Sequence, residues 1–327
     1  MPHLLPTPWL IPTSRLLPSL VAGCVVLAAL PIPVNAAGQG ERNRSCRAAL
    51  QAGDQATLRG LQQQLQASLP VPPQLEAVLA TAEALLACAA PEAALQVLAR
   101  ISAAPGEERQ RWLVMQWRAA QAGLYHGLAA QALQALADDE PASLETLLLP
   151  LDAVPAEGST GRAVSSRRPA IDLLADHLES LGETRLAAAI LLSSRQPGPL
   201  TAARWGRAFE LLPDLPPAER DALMERALEL AAASETWGLV AALLDLQLVA
   251  AGDSAADARA LERRLRLGAR IDDVYGEWLQ RRRQAAAVSG ADGRVLQLEE
   301  QLRSPRGPGG HAAPDSVPLS TSSPALP

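Results

Sequence analysis

Apolar residues recur every three or four positions along most of this chain, and no window of four to eight residues alternates Val, Ile, Thr or aromatics with polar residues. That pattern admits helices and argues against any substantial sheet. Phe, Trp and Tyr make up only 3% of the residues, while Ala and Leu supply the stripes. The core must therefore come from many close helix contacts rather than from a few large side chains. The 327 residues leave room for one extended or two compact domains. The expected fold is all-α, with antiparallel helix pairs on short connections stacked as an irregular α-solenoid.

The stripes can be followed in order. Leu58, Leu61 and Leu65 lie behind Asp54, a suitable N-cap; Leu75, Val78, Leu79 and Leu85 follow Pro72-Pro73; Pro91 opens a partner helix with Ala94, Leu95 and Leu98. Leu113 and Trp117 pair with Leu133 and Leu136, and Ile171, Leu174, Leu178 and Leu181 share a face. Trp237, Val240, Ala241, Leu244 and Leu248 make the cleanest stripe. A more charged helix over 255–284, with Ile271, Val274 and Trp278 inward, would cap the array. Ala94–Ala99 recurs as Ala132–Ala137 at a spacing of 38, and Glu183-Thr184 recurs as Glu235-Thr236 at a spacing of 52. The two spacings disagree, so the array is degenerate.

The junction Leu178-Glu179-Ser180-Leu181-Gly182-Glu183, followed by Ala187-Ala188-Ala189, resembles the helix turn of a tetratricopeptide repeat. Arg185 stands where that repeat carries an aromatic residue, and no helix pair spells the full pattern. The resemblance covers one or two pairs and implies an α-solenoid architecture, with a concave surface that holds a partner's peptide or helix.

The N-terminus reads as an export signal over 1–36. Arg15 precedes an apolar run from Leu16 to Leu30, and Pro31 and Pro33 break it before Val34-Asn35-Ala36. Cleavage between Ala36 and Ala37 is the preferred reading. An uncleaved anchor over Leu16–Val34 is a second reading, and a lipobox-like Val21-Ala22-Gly23-Cys24 is a third. The remaining chain divides into a helical block 37–149, a flexible loop 150–169, a second block 170–253, charged capping helices 254–303 and a disordered tail 304–327. The loop should act as a hinge or spacer between the blocks, with Arg167-Arg168 as a protease nick site.

Chemistry is limited by what the chain lacks. All 29 basic residues are Arg, so a P-loop, a Schiff-base enzyme and a Ser-Lys dyad are excluded. Losing residues 1–36 removes Arg15, leaving 28 Arg against 35 acidic residues, and the net charge moves from −6 to −7. A non-specific nucleic-acid binder would be basic. Cys46 and Cys88 would remain as an even pair and are expected to form a disulfide, with inert core thiols as the alternative.

Candidate sites are few. His177 lies among Asp172, Asp176 and Glu179, but none of these is spaced with a second His as a helix-borne metal site requires, so a solvated helix face is the reading for it. With function expected on a surface between helices rather than in a polar pocket, replacing His126 and His177 with Ala should leave partner binding and the fold intact. Arg281-Arg282-Arg283, with Arg263, Arg264, Arg266 and Arg270 upstream, would meet anionic lipid or an acidic partner only if intrahelical pairing with Asp257, Glu262, Asp272, Asp273 and Glu277 did not absorb it. Trp112, Trp117, Trp205 and Trp237 fall on apolar stripes as core residues. Gly158-Ser159-Thr160-Gly161 lacks the setting of a nucleophile elbow. No catalytic, cofactor or metal residue is assigned. The expected function is an exported, non-enzymatic helical-repeat scaffold for a protein or peptide partner in the periplasm or an equivalent lumen. The alternatives are an enzyme or accessory subunit of cell-wall or glycan metabolism and a membrane-tethered assembly factor.

Overall fold

The computed structural model describes residues 36–151, 166–250, 255–288 and 293–303. The expected signal, most of the loop and the expected tail lie outside them, and Ala36 and Ala37 open the first helix. The described residues form an all-α array of fourteen helices packed in adjacent pairs. In chain order these are α1 (Ala36–Gln51), α2 (Gln55–Ala67), α3 (Leu75–Ala87), α4 (Pro91–Leu98), α5 (Glu107–Ala122) and α6 (His126–Ala137). After a 3₁₀ turn, Pro141–Glu145, and the strands β1 (Leu148–Pro150) and β2 (Arg167–Pro169) come α7 (Ala170–Ser180), α8 (Thr184–Leu192) and α9 (Pro199–Leu211). The rest are α10 (Pro217–Ala233), α11 (Trp237–Ala250), α12 (Ala255–Arg270), α13 (Val274–Val288) and α14 (Gly293–Arg303). Among the described residues no helix is long and apolar enough to cross a membrane.

One turn recurs six times. Gly53, Ala89, Leu124, Gly182, Glu235 and Asp272 each sit at φ between 48° and 80°, alone at the bend of a helix pair. The next residue's N–H donates to the carbonyl five positions back, as from Tyr125 to Ala120 and from Glu183 to Leu178, and its own carbonyl accepts the first bond of the next helix. Each turn thus closes one helix and opens its partner. The residues four positions before the bend, Ala49, Leu85, Ala120, Leu178, Ala231 and Gly268, are all buried.

These bends lie 36, 35, 58, 53 and 37 residues apart. The repeats read from the sequence are out of register with them. Ala94 stands five residues past its bend and Ala132 eight past its own, so the counterpart of Ala94 is Ala129. Glu183 follows its bend whereas Glu235 occupies one. Short Ala/Leu strings match by composition, whereas the bend is set by backbone geometry.

The two long spacings have structural causes. Between α6 and α7 lie the 3₁₀ turn and the two strands; between α8 and α10 lies α9, which packs on both but is joined to neither by the recurring bend. Side-chain contacts fix the directions. Arg204 and Arg207 of α9 meet Asp172 and Glu179 of α7 in ascending order, so these helices run parallel. Arg220 and Arg226 of α10 lie over Phe209 and Trp205 of α9 in descending order, so these run antiparallel. The first helix of a pair therefore points one way up to α7 and the opposite way from α10 onward.

Three cores alternate along the array. One joins α1–α5 around Val78, Leu85 and Leu98; the next joins α5–α9 around Trp117, Leu133, Ile171 and Leu174; the third joins α9–α12 around Met224, Leu243 and Leu244. Helices α5 and α9 each contribute to two of them. Many contact positions are fully buried Ala, which lets helix axes approach closely.

Two expectations need correcting here. The stretch 150–169 is not a free spacer at its ends, because Leu148–Pro150 pairs antiparallel with Arg167–Pro169. It also does not separate two blocks, since the middle core holds residues from both sides of it, including Leu144, Leu149, Ile171 and Leu174. The chain leaves and returns at one place, with Arg167-Arg168 in the paired ribbon. Likewise the charged helix expected over 255–284 is two helices. Asp272 adopts the left-handed conformation and Asp273 accepts from the Gly276 N–H at 2.9 Å, capping α13.

Candidate functional site

An opening of about 510 Å³ runs between α3 and α5, the parallel first helices of successive pairs. Leu79, Ala80, Val114 and Met115 form its floor, and Leu147, just before β1, closes one side. Glu76 and Arg111 bridge it with two bonds of 2.6 and 2.9 Å. Arg111 holds the Glu76 carboxyl below its ordinary value. Glu83 and Glu107 also line the opening, so its wall carries three carboxylates to one guanidinium. The next opening along α5, about 320 Å³, is lined by Trp117, Arg118, Gln121, Pro150 and Leu151. These two stretches along α5, each lined by β1 or a residue flanking it, are the groove beside β1.

A third opening, about 420 Å³, lies between α10 and α12 over α11. Arg263 bonds both carboxylate oxygens of Glu225 at 2.7 Å, Arg266 pairs with Glu262, and Arg270 lies 5.9 Å from the Trp237 ring centroid. Trp237, expected in the core, is 41% exposed at the start of α11 and forms the groove's lip. Trp117 is buried, as read from its stripe, while Trp112 and Trp205 are half-buried.

His177 is not on a solvated face. It is 6% exposed and lies where α5, α6 and α7 meet. Its Nδ1 is 3.1 Å from His126 Nδ1, and its Nε2 accepts from the Trp117 indole N–H at 3.3 Å. An indole nitrogen can only donate, so the ring proton of neutral His177 sits on Nδ1 and donates to His126, whose own proton is then on Nε2. Burial and His126 hold His177 below its ordinary pKa, against the opposing pull of Asp176. The pair makes a poor metal site, because ligation through His177 Nδ1 would put a proton on Nε2, facing the indole donor. Helical spacing along one segment could not reveal this contact, since the two His are 51 residues apart.

Other polar groups are engaged in holding helices together. Arg204, 5% exposed, takes Asp172 through Nε and Nη2 at 2.7 and 3.1 Å and reaches Glu145 at 3.4 Å. Glu145 also accepts from the backbone N–H groups of Arg195 and Gln196. The sequence reading missed both residues, because nothing local marks an Arg whose partners lie 32 and 59 positions away. Buried Arg264 joins Asp245 on α11 to Asp273 beyond α12. Burial pushes the Asp273 carboxyl up, yet the Gly276 N–H and Arg264 hold it below its ordinary value.

The basic cluster is paired, but much of the pairing is between helices rather than within one. Arg259 and Arg263 reach α10, whereas Arg266 and Arg281 pair within their own helices. Of Arg281-Arg282-Arg283, the first bonds Glu277 and the second lies over the Trp278 ring; the third is exposed. Arg294 and Arg281 together hold the Glu277 carboxyl below its ordinary value. Cys46 and Cys88, both fully buried, are joined as a disulfide between α1 and the end of α3, with Cα atoms 4.8 Å apart. Ser159 and its neighbours lie outside the described residues. No family model and no curated protein matches the chain.

Proposed function

We propose that this chain is an exported, non-enzymatic scaffold of tetratricopeptide-like helix pairs that binds a protein or peptide partner in the periplasm or an equivalent lumen. The observation that carries the reading is the groove along α5, with an apolar floor and charged walls beside strand β1. Bends 36, 35 and 37 residues apart, close to the roughly 34-residue tetratricopeptide period, support the choice of architecture. The signal-like N-terminal sequence supports export. Against acid–base chemistry in the described residues stands the histidine pair, whose inward nitrogens are occupied by each other and by an indole.

The test is photo-crosslinking in the envelope fraction. A photoreactive residue at Gln110, which lines the groove, should give a discrete adduct, whereas one at exposed Gln134 on α6 should not. Adducts from neither position, or the same adducts from both, would remove the scaffold reading.

A further inference from the structure

Strand β1 beside the groove has one edge paired with β2 and, among the described residues, no strand on its other edge. Ala170 N–H donates to the Leu147 carbonyl at 2.8 Å and Leu151 N–H to the Ser166 carbonyl at 2.9 Å. In an antiparallel pair the bonded residues alternate, so positions 147, 149 and 151 face β2. The N–H and carbonyl of Leu148 and the carbonyl of Pro150 therefore point away from it. Both openings along α5 are lined by β1 or its flanks, through Leu147, Pro150 and Leu151, and neither is lined by any residue of β2. Pro150, whose carbonyl points away from β2, lines the second opening, so the free edge of β1 borders the groove there.

That edge differs from an ordinary blunted one. Pro150 removes one donor, which limits pairing with a second ribbon, yet Leu148 keeps both backbone groups and is about half exposed. Leu149 is buried in the middle core, with Leu147 and Leu151 packed against it, so a strand added to this edge would turn every second side chain toward the apolar floor. The walls of the first opening are acidic. Glu76 is taken by Arg111, while Glu83 and Glu107 stand exposed along the same channel.

We propose that the α3–α5 groove captures an extended peptide segment of the partner as a third strand on β1, with apolar side chains alternating with Arg or Lys that face Glu83 and Glu107. The proposal rests on the scaffold reading and adds to it the conformation and charge of what is bound. Main-chain bonds to Leu148 and Pro150 would set the register, and the apolar floor with the acidic wall would set the selectivity.

The experiment titrates the full chain with three fluorescent octapeptides at low salt. One alternates Arg with Val and Leu, the second carries Glu in place of Arg, and the third is the Arg peptide N-methylated at alternate residues. The Arg peptide should bind at least about tenfold more tightly than either of the others, and this preference should shrink with added salt. Glu83→Gln with Glu107→Gln, both at exposed positions, should weaken the Arg peptide several-fold with the circular dichroism spectrum unchanged. No binding of the Arg peptide up to millimolar concentration, equal binding of the Arg and Glu peptides, or indifference to N-methylation each overturns the proposal. If the Gln110 adduct still forms in any of those cases, only the strand chemistry falls; if it is lost as well, the scaffold reading falls with it.

Discussion

At His177 the neighbouring indole decides where the proton sits, and the sign of a pH effect follows. The unfolded ring takes its second proton near pH 6.5, while the folded ring, desolvated and facing His126, takes it at lower pH. Between those two values the unfolded chain binds more protons. The stabilisation is therefore complete above pH 6.5 and is lost as pH falls below it, at a slope approaching about 1.4 kcal/mol per pH unit. Denaturant unfolding at pH 7.5, 6.5 and 5.5 should show this loss in the wild type. It should be shallower in His177→Gln, whose amide can still accept from Trp117 and donate to His126. His177→Ala should instead cost about 2–4 kcal/mol throughout that range, through a cavity and an orphaned indole N–H. Equal midpoints for wild type and His177→Ala would return the residue to the solvated face first read for it. That reading failed because burial here is created by α5 and α6, and one helix's spacing carries no record of them.

The repeated bend is the element on which sequence and structure part most clearly. Leu and Ala stripes were sufficient to place most helices, since burying one face fixes a period of three to four residues. The bends were hidden because four of six carry Ala, Leu, Glu or Asp where Gly would be the usual signal. Each such residue is strained by about 1 kcal/mol relative to Gly in a left-handed conformation. Leu124→Gly should therefore raise the unfolding midpoint, and Gly182→Ala should lower stability by about 1 kcal/mol. Gly127, inside α6 with open space where a Cβ would sit, should behave oppositely, gaining roughly 0.5–1 kcal/mol as Ala. A Gly182→Ala variant as stable as the wild type would show that the bend is not held as described. Strands of three residues are too short for alternation to show, so the ribbon beside the groove was unreadable in the sequence.

Across the array, the three cores are coupled through α5 and α9, which contribute to two cores each, and through Leu95 and Leu192, which pack against two. Leu244→Asp places an unpaired charge in the third core at a cost of several kcal/mol. Hydrogen exchange should then speed up across α10–α12, while α3–α7, packed in the other two cores, keep their protection. Uniform loss of protection would mean that the array unfolds as one unit. Helix α9, joined to its neighbours by no such bend, has a different consequence, for solubility. Exposed apolar residues gather near the bends: Leu124, Leu128 and Leu181 before α9, and Trp237, Ile271 and Tyr275 after it. Had the pairs followed one another without interruption, all six would lie along a single rim as a long adhesive strip. By reversing the direction of travel, α9 sends the second group to the far rim. Contiguous apolar patches beyond a few hundred Å² invite self-association, and splitting the strip keeps each half smaller than the whole would have been.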